Sequence, residues 1–377
     1  MMQIRMVDLK GQYEKIKSEV DAGIQNVIDT TAFINGPKVS EFAKNLATYN
    51  GVANVVPCAN GTDALQIALM ALGLKAGDEV IVPVHTYVAT AEVISLLGLE
   101  PVFVDCLDDL YTIDDSKIEE CIGDKTKAIV PVHLYGQCAD MEAIIAIAKK
   151  HDLKIVEDTA QAIGADYTFS DGRKMKAGTM GDIGTTSFFP SKNLGCYGDG
   201  GAMFISDDDL ASKAKMITNH GQSVKYHHDV IGCNSRLDTL QAAVLDVKLK
   251  HLDDYSAARN FAASHYDNIL ADIEGIRIPK RADYSTHVFH QYTLRVADGK
   301  RDLLKAELDN RGIPSMIYYP IPLHFQKGYA SESYGKGSFP VAEMLSEEVL
   351  SLPIHTEMTQ DELNYITDAV KSIMKSI

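Results

Sequence analysis

The sequence predicts an α/β protein with a mostly parallel sheet, followed by a smaller α+β region. Three observations lead to this class. Short β-rich runs alternate with helical patterns through the first two-thirds of the 377 residues, 46% of the residues are hydrophobic, and glycines follow several predicted helices. Strands separated by helices form βα units, whose parallel sheets are covered on both faces. The length itself favours two or three domains.

Seven runs predict the strands of this sheet: Ala53–Pro57, Glu79–Pro83, Pro101–Asp105, Ala128–Val132, Lys154–Asp158, Thr185–Phe189 and Ala202–Ser206. Helical patterns over Thr62–Gly73, Tyr87–Leu97 and Asp140–His151 connect several of them. Ligands of open parallel sheets bind at the carboxyl ends of the strands, so the residues that follow each strand are the candidates for a functional site.

The pattern changes near residue 236. Later segments are a long helical stretch, a strand, a helix, a proline-rich run and a last helix, over Arg236–Ile269, Val288–Val296, Asp302–Arg311, Tyr318–Leu323 and Gln360–Met374 respectively. We therefore predict a large domain over residues 1–250, which includes an N-terminal segment, and a small C-terminal domain over residues 251–377.

Charge and composition exclude several classes of partner. Lys and Arg number 36 against 52 Asp and Glu, a net charge of −16, which argues against nonspecific binding to nucleic acid or to an anionic membrane. No apolar run is long enough for a bilayer, and the first ten residues lack the apolar core of a signal peptide, so a cytoplasmic protein is expected. The six scattered cysteines form no C-x-x-C pair, and no metal site is predicted.

Three segments at the predicted sheet edge carry chemistry. Ala59–Ala64 begins a helix, either with Thr62 or Asp63 as a simple N-cap or with free N–H groups that bind a phosphate. Asp158 ends a strand, where it could pair with a cation, hold a metal or cap a turn. Lys192 follows a strand in a loop rich in glycine, and a desolvated lysine can act as a nucleophile, although most lysines are merely solvated.

Together the three segments match what pyridoxal phosphate (PLP) requires: a phosphate anchor, a carboxylate opposite the pyridine nitrogen and a lysine that forms a Schiff base. The chain resembles the sugar aminotransferases of the DegT/DnrJ/EryC1/StrS family, which are fold-type I PLP enzymes, over essentially its whole length. The shared motifs are Asn60–Leu65, Thr86–Thr90, Glu157–Gln161, Ser187–Lys192, Gly198–Gly201, Asn234–Asp238 and Tyr319–Leu323. It looks most similar to the enzymes that aminate C3 of a UDP-linked 2-acetamido-2-deoxy-3-keto-hexuronic acid.

The resemblance implies a role for each motif. Lys192 would bind PLP covalently and carry a proton during catalysis, and Asp158 would keep the pyridine nitrogen protonated. The other implied cofactor contacts are Gly61, Thr62 and Ser187 at the phosphate, Tyr87 on the ring face, Gln161 at the ring hydroxyl and Asn234 reaching the phosphate of a partner subunit. Arg236 would contact an anionic substrate group, and Tyr319 and His324 would line the sugar pocket. Many relatives have His-Tyr-Pro where this chain has Tyr318–Pro320, which alters that pocket.

The implied reaction moves an amino group from L-glutamate to a nucleotide-linked ketosugar in a homodimer with shared sites, for surface polysaccharide precursors. An aminotransferase for a dTDP- or UDP-linked 3- or 4-keto-6-deoxy sugar is the alternative. A PLP-dependent sugar dehydratase is disfavoured because those relatives have histidine in place of Lys192. A nonenzymatic regulator is disfavoured by the intact motifs, and a nicotinamide oxidoreductase by the missing G-x-G-x-x-G.

Overall fold

The computed structural model describes residues 4–330 and 333–377, and a seven-stranded sheet is its central element. The first nine strands are β1 Asn54–Cys58, β2 Glu79–Pro83, β3 Glu100–Val104, β4 Thr126–Ile129, β5 Lys154–Asp158, β6 Asp166–Thr168, β7 Lys174–Lys176, β8 Ile183–Ser187 and β9 Gly201–Ile205. The sheet order is β1-β9-β8-β5-β4-β2-β3, while β6 and β7 form a separate hairpin. All seven predicted strands form, with ends that shift by a few residues.

The sheet is parallel except at β9, which runs antiparallel to both β1 and β8. This reversal places Gly201, at the start of β9, opposite Cys58 at the end of β1. The loop after Lys192 therefore returns to the sheet beside the turn that follows β1. The α/β class and the mainly parallel sheet are confirmed.

Eleven α-helices lie in the described residues: α1 Leu9–Thr30, α2 Pro37–Asn50, α3 Gly61–Leu72, α4 Ala89–Leu96, α5 Met141–His151, α6 Asp208–Thr218, α7 Thr239–Leu249, α8 Leu252–Leu270, α9 Arg301–Asn310, α10 Pro340–Glu348 and α11 Gln360–Met374. The expected single helical stretch over Arg236–Ile269 is wrong, because the chain breaks between α7 and α8 at Lys250 and His251. Apolar spacing continues across the break and no glycine or proline marks it. None of the helices described is long and apolar enough to cross a membrane.

A second apolar core surrounds a three-stranded sheet of β12 Ile276–Arg277, β13 Tyr292–Val296 and β14 Val349–Leu352. Buried side chains of α8, α9 and α11 pack against it, among them Leu270, Leu304 and Ile366. One more hairpin joins β10 Gln222–Val224 to β11 His227–His228. The boundary near residue 250 stays a prediction.

Candidate active site

A cavity of about 680 Å³ opens at the carboxyl edge of the seven-stranded sheet. The ends of β5 and β8 and the start of α3 form one side, and His290, Gln291, Tyr318 and Tyr319 contribute from the C-terminal half of the chain. Eight of the residues predicted from the sequence line it: Gly61, Thr62, Tyr87, Asp158, Gln161, Ser187, Lys192 and Tyr319. The sheet brings most of these together because its parallel strands end at this edge.

The start of α3 forms an anion cradle in this cavity. The N-cap is Asn60, whose side chain accepts a hydrogen bond from the Asp63 N–H at 2.8 Å, so neither Thr62 nor Asp63 is the cap. The N–H groups of Gly61 and Thr62 stand at the first turn, where a helix has no internal acceptors for them. A Cβ on Gly61 would lie 2.7 Å from the Cβ of Ser187, so only glycine lets the two segments approach this closely.

Asp158 is buried at the end of β5. Its Oδ2 accepts a hydrogen bond from the Thr90 hydroxyl at 2.9 Å, and its Oδ1 accepts one from the Ala160 N–H at 3.1 Å. These two neutral donors fix the carboxylate without neutralising it, and the ammonium of Lys192 is the positive group that interacts with it. A fixed, buried carboxylate of this kind suits a cationic ring nitrogen.

Lys192 lies in the loop after β8 and lines the cavity. Burial lowers the pKa of its ammonium to about 8, while the opposite charge of Asp158 acts in the other direction. Nothing in residues 4–330 and 333–377 makes a hydrogen bond to its Nζ. A lysine amine that is desolvated, unpaired and directed at open space is the form that attacks a carbonyl carbon.

Gln161 and Tyr319 form a polar network on the cavity wall. The Tyr135 N–H donates to Oε1 of Gln161 at 2.7 Å, which directs Nε2 toward the hydroxyl of Tyr319 at 3.2 Å. Tyr87 lies over Tyr319 with ring centroids 6.0 Å apart and is 57% exposed. The ring of Tyr87 therefore offers an exposed aromatic face at the cavity mouth, and the Nε2 of Gln161 lies behind it as an amide donor.

Three predicted residues lie elsewhere. His324 is buried between Phe325 and Phe339, with its Nε2 3.3 Å from Glu343, so the structure does not place it in the sugar pocket. The adjacent Phe325 is visible in the sequence, but the contact with Phe339 depends on the fold. Asn234 and Arg236 are absent from the cavity lining of their own chain, and their predicted roles concern a partner subunit.

Sequence reasoning missed Thr90 and His290. Thr90 lies one helical turn after Thr86, and only the fold shows that its hydroxyl bonds Asp158. His290 lies just before β13, in the C-terminal half of the chain. It follows Lys192 by about 100 residues, so no local motif connects the two residues. The described part of the chain contains no group of three or more His, Cys, Asp or Glu that could hold a metal ion.

The residues present fit PLP. The free N–H groups of Gly61 and Thr62 and the hydroxyl of Ser187 can bind a phosphate, Asp158 can pair with a pyridinium, and Lys192 offers an amine. The fold and this site define a PLP-dependent aminotransferase.

Comparison with known proteins identifies the family. The profile of the DegT/DnrJ/EryC1/StrS aminotransferase family matches residues 14–371, and the chain belongs to this family. It is 45% identical over 98% of both chains to a "pleiotropic regulatory protein" of Geobacillus stearothermophilus. It is also 45% identical to the UDP-2-acetamido-2-deoxy-3-oxo-D-glucuronate aminotransferase of Pseudomonas aeruginosa, over 97% of this chain and 99% of that one. A dTDP-3-amino-3,4,6-trideoxy-alpha-D-glucose transaminase of Streptomyces venezuelae is 42% identical over 98% and 95%.

Solved structures agree with this assignment. S. venezuelae DesV in complex with a ketimine intermediate superposes with a TM-score of 0.95 at 41% identity, covering 100% of both chains. NtdA of Bacillus subtilis with the bound cofactor PMP has a TM-score of 0.91 at 32% identity, covering all of this chain and 86% of that one. The protein is a PLP-dependent sugar aminotransferase, as its sequence predicts.

Proposed function

We propose that the protein transfers the amino group of L-glutamate to C3 of UDP-2-acetamido-2-deoxy-3-keto-hexuronic acid, a step toward surface polysaccharide precursors. The observation that carries the chemistry is the unpaired Lys192 amine beside Asp158 in a cavity with a helix N-terminus. The relative from P. aeruginosa, whose name gives this type of substrate, supports the sugar. The relative from S. venezuelae supports the alternative, a dTDP-linked ketosugar, because its identity is only slightly lower.

In this proposal, residues at the phosphate, at the ring face, at the ring hydroxyl and at the ring nitrogen would hold the cofactor. Gly61, Thr62 and Ser187 bind the phosphate, Tyr87 covers the ring, and Gln161 donates Nε2 to the ring hydroxyl. When bound, PLP supplies an electron sink that stabilises negative charge on the substrate carbon exchanging its amine. Asp158, which is fixed by Thr90, holds the proton on the ring nitrogen and so maintains that sink.

Lys192 does the proton transfer. Its Nζ would take a proton from the carbon of the amino donor, hold it and give it up to the cofactor, and it would carry a proton from the cofactor to the sugar carbon when the ketosugar is aminated. A pKa of about 8 leaves a useful fraction of neutral amine near neutral pH, whereas an ordinary lysine would be almost wholly protonated. The same side chain therefore serves both half-reactions.

We also propose a homodimer whose subunits share their sites. Within residues 4–330 and 333–377, Lys192 is the sole Lys or Arg that lines the cavity, whereas glutamate and a nucleotide sugar are both anions. The positive charge that they need would come from Arg236 of the other copy. Exposed apolar side chains lie nearby in sequence: Tyr226 is 79% exposed and Ile231 is 87% exposed. Such surface is typical of an interface.

The loop that carries Asn234 and Arg236 is fixed rather than free. Ser235 between them is buried, and its hydroxyl donates to Asp63 at 2.6 Å and accepts from the Ala59 N–H at 3.0 Å. The loop is thus attached to the cradle of its own chain. In a dimer, this arrangement would let each cradle position the residues that complete the neighbouring site.

A panel of nucleotide ketosugars tests the substrate. We expect the UDP-linked 3-keto-hexuronate, with L-glutamate, to give the most 2-oxoglutarate, and product NMR to show the new amine at C3. Arg236→Ala should lower turnover of the acidic sugar more than that of its neutral counterpart, and Arg236→Lys should keep part of the preference. Equal turnover with and without the uronic carboxylate contradicts this sugar and favours the alternative, a dTDP- or UDP-linked keto-6-deoxy sugar.

Subunit mixing tests the shared site. Lys192→Ala and Arg236→Ala proteins are each expected to be impaired, but their mixed dimer would contain one site with both residues intact. Activity above that of either parent after mixing supports the shared site. No gain, in a sample shown by mass spectrometry to contain mixed dimers, contradicts it.

A further inference from the structure

Tyr135 is a buried residue that holds the cavity wall at three points, although it is absent from the cavity lining itself. It lies between β4 and α5 and is 2% exposed. Its N–H donates to Oε1 of Gln161 at 2.7 Å, its carbonyl accepts from the Gln291 N–H at 3.2 Å, and its hydroxyl donates to the Tyr318 carbonyl. Gln161, Gln291 and Tyr318 all line the cavity. One residue thus connects wall segments from both halves of the chain.

The backbone of Tyr135 has a conformation that is uncommon for a tyrosine. Its φ of 59° and ψ of −6° lie in the left-handed region, which residues with a Cβ seldom adopt. Gly136 follows with a φ of 121°, and a Cβ there would lie 2.8 Å from the backbone nitrogen of Phe289. Proteins keep such conformations where the surroundings determine them, most often at functional sites. The turn therefore points to a functional reason for the place of Tyr135.

His85, in the loop after β2, fixes the direction of the Tyr135 hydroxyl. Its Nε2 is 3.0 Å from the hydroxyl oxygen. The Tyr318 carbonyl can only accept, so the hydroxyl hydrogen points to that carbonyl, and the imidazole Nε2 carries a hydrogen and donates. This tautomer leaves Nδ1 without a hydrogen, where no atom of the described residues is its hydrogen-bond partner. Burial lowers the pKa of His85 to about 4, so the ring is neutral at physiological pH.

The backbone and the side chain of Tyr135 serve different parts of the cavity. Every residue that the proposed function assigns to the cofactor lies between residues 61 and 192, and the Tyr135 N–H orients one of them, Gln161. The hydroxyl instead fixes Tyr318, in the C-terminal half of the chain. A nucleotide sugar is much larger than glutamate and has to extend further from the cofactor along the cavity wall. Loss of the hydroxyl should therefore affect the sugar more than the amino donor.

We propose that Tyr135 is a positioning residue for the ketosugar: its hydroxyl, oriented by His85, holds the Tyr318 carbonyl and with it the part of the wall that the sugar contacts. This inference rests on the proposed function. Tyr135 acts through Tyr318, since its own side chain does not line the cavity. Loss of the hydroxyl alone should weaken binding of the sugar and leave binding of the cofactor and of glutamate as they are.

A pair of matched substitutions separates this role from the general effect of losing a buried hydroxyl. Tyr135→Phe removes the hydroxyl and keeps the ring and both backbone hydrogen bonds. Tyr111→Phe is the control, because Tyr111 is also buried, and its ring centroid lies 5.3 Å from that of Tyr135. Its hydroxyl also donates to a carbonyl, that of Thr293 at 3.3 Å, but Thr293 is absent from the cavity lining.

Single-turnover reactions of the holoenzyme measure each half-reaction separately, with L-glutamate first and then with the UDP-linked 3-keto-hexuronate. We expect the half-saturating concentration of the sugar to rise about three- to tenfold in Tyr135→Phe, which is the contribution of one hydrogen bond. The half-saturating concentration of glutamate should stay within about twofold of wild type, and both constants should do so in Tyr111→Phe. Mere destabilisation would lower the active fraction and hence both maximal rates, without a change in either constant.

An unchanged constant for the sugar in Tyr135→Phe overturns the proposal, and so does an equal rise for glutamate or an equal rise in Tyr111→Phe. ¹⁵N NMR of the histidine-labelled full chain tests it without substrate, with the His85 signal assigned by its absence in His85→Gln. We expect the hydrogen on Nε2. A hydrogen on Nδ1 overturns the proposal, because the Tyr135 hydroxyl would then donate to His85 instead of to the Tyr318 carbonyl.

The wild-type reaction separates the two possible failures. Wild-type protein that does not transfer the amino group of glutamate to this sugar defeats the proposed function, and this inference with it. Normal wild-type turnover, together with an unchanged constant for the sugar in Tyr135→Phe, defeats this inference alone.

Discussion

Two lysines whose pKa is lowered by desolvation lie in neighbouring regions of the molecule and have different surroundings. Lys192 lines the cavity, whereas Lys248 on α7 is 1% exposed and donates its Nζ to the Gly195 carbonyl at 2.7 Å. Burial lowers the pKa of each to about 8. A lowered pKa therefore does not by itself distinguish a reactive lysine from a packed one.

The two amines differ in their hydrogen-bond partners and in the open space around them. The Nζ of Lys248 is bound to a carbonyl and lies 4.7 Å from the centroid of the Tyr197 ring, so it is satisfied inside a packed region. Lys192 instead faces open volume and the carboxylate of Asp158. These surroundings favour a chemical role for Lys192 and a packing role for Lys248.

The largest expected effect comes from removing each lysine in turn. Lys192→Ala should lower transamination by more than about a thousandfold, because it removes both the amine and the proton carrier. Lys248→Met should keep most of the activity, because a long apolar side chain fills the same space. Steady-state 2-oxoglutarate formation measures both, with circular dichroism as the folding control. A comparable loss of activity in the two variants would contradict the proposed difference between the two lysines.

The second prediction tests the carboxylate of Asp158, which lies near Lys192 and has no counterpart near Lys248. Asp158→Asn keeps the acceptor for the Thr90 hydroxyl but loses the negative charge that we propose holds the proton of the cofactor ring. We expect the rate of the glutamate half-reaction to fall by about 10²–10³-fold, a typical loss for one electrostatic group in an active site. Stopped-flow absorbance checks this, and a rate near that of wild type would remove Asp158 from its role.

A third effect concerns the anion cradle. Gly61→Ala would place a Cβ 2.7 Å from the Cβ of Ser187 and so separate the two segments that we propose bind the phosphate. Overpacking of this kind costs roughly 1–3 kcal/mol, so we expect PLP affinity to fall by about 5- to 150-fold. Gly328→Ala, which has open space around it and a backbone without a positive φ, is a control for the general cost of such a change. Unchanged affinity in Gly61→Ala would show that the phosphate lies elsewhere.

The smallest effect is a difference in pH dependence between the two regions. Lys192 becomes a neutral amine as pH rises through about 8, so capture of PLP by the cofactor-free protein should accelerate about tenfold per pH unit below that value and level off above it. Lys248 has the same pKa but no access, and we expect no labelling there while the protein stays folded. Peptide mapping after timed labelling measures the reaction of each lysine. Faster labelling of Lys248 than of Lys192 would contradict the proposed assignment.

The sheet and much of the cavity could be predicted from the sequence, because the alternation of β-rich runs with helical patterns indicates where each strand lies in the chain. The rule that ligands bind at the carboxyl ends of strands then selected Asp158 and Lys192. The reversed strand β9 and the break between α7 and α8 could not be predicted, since both depend on packing between distant segments. The same holds for His290, which follows Phe289 of the second core, and for His324, which packs against Phe339 beside the main sheet.

Reductive trapping tests the central claim most directly. The holoenzyme is treated with borohydride, digested and mapped by mass spectrometry, with Lys192→Ala as the matched control. The account predicts a single phosphopyridoxyl group on Lys192, none on Lys248 and none in the control. A modified Lys248, or a stable modification elsewhere that persists in Lys192→Ala, would contradict it.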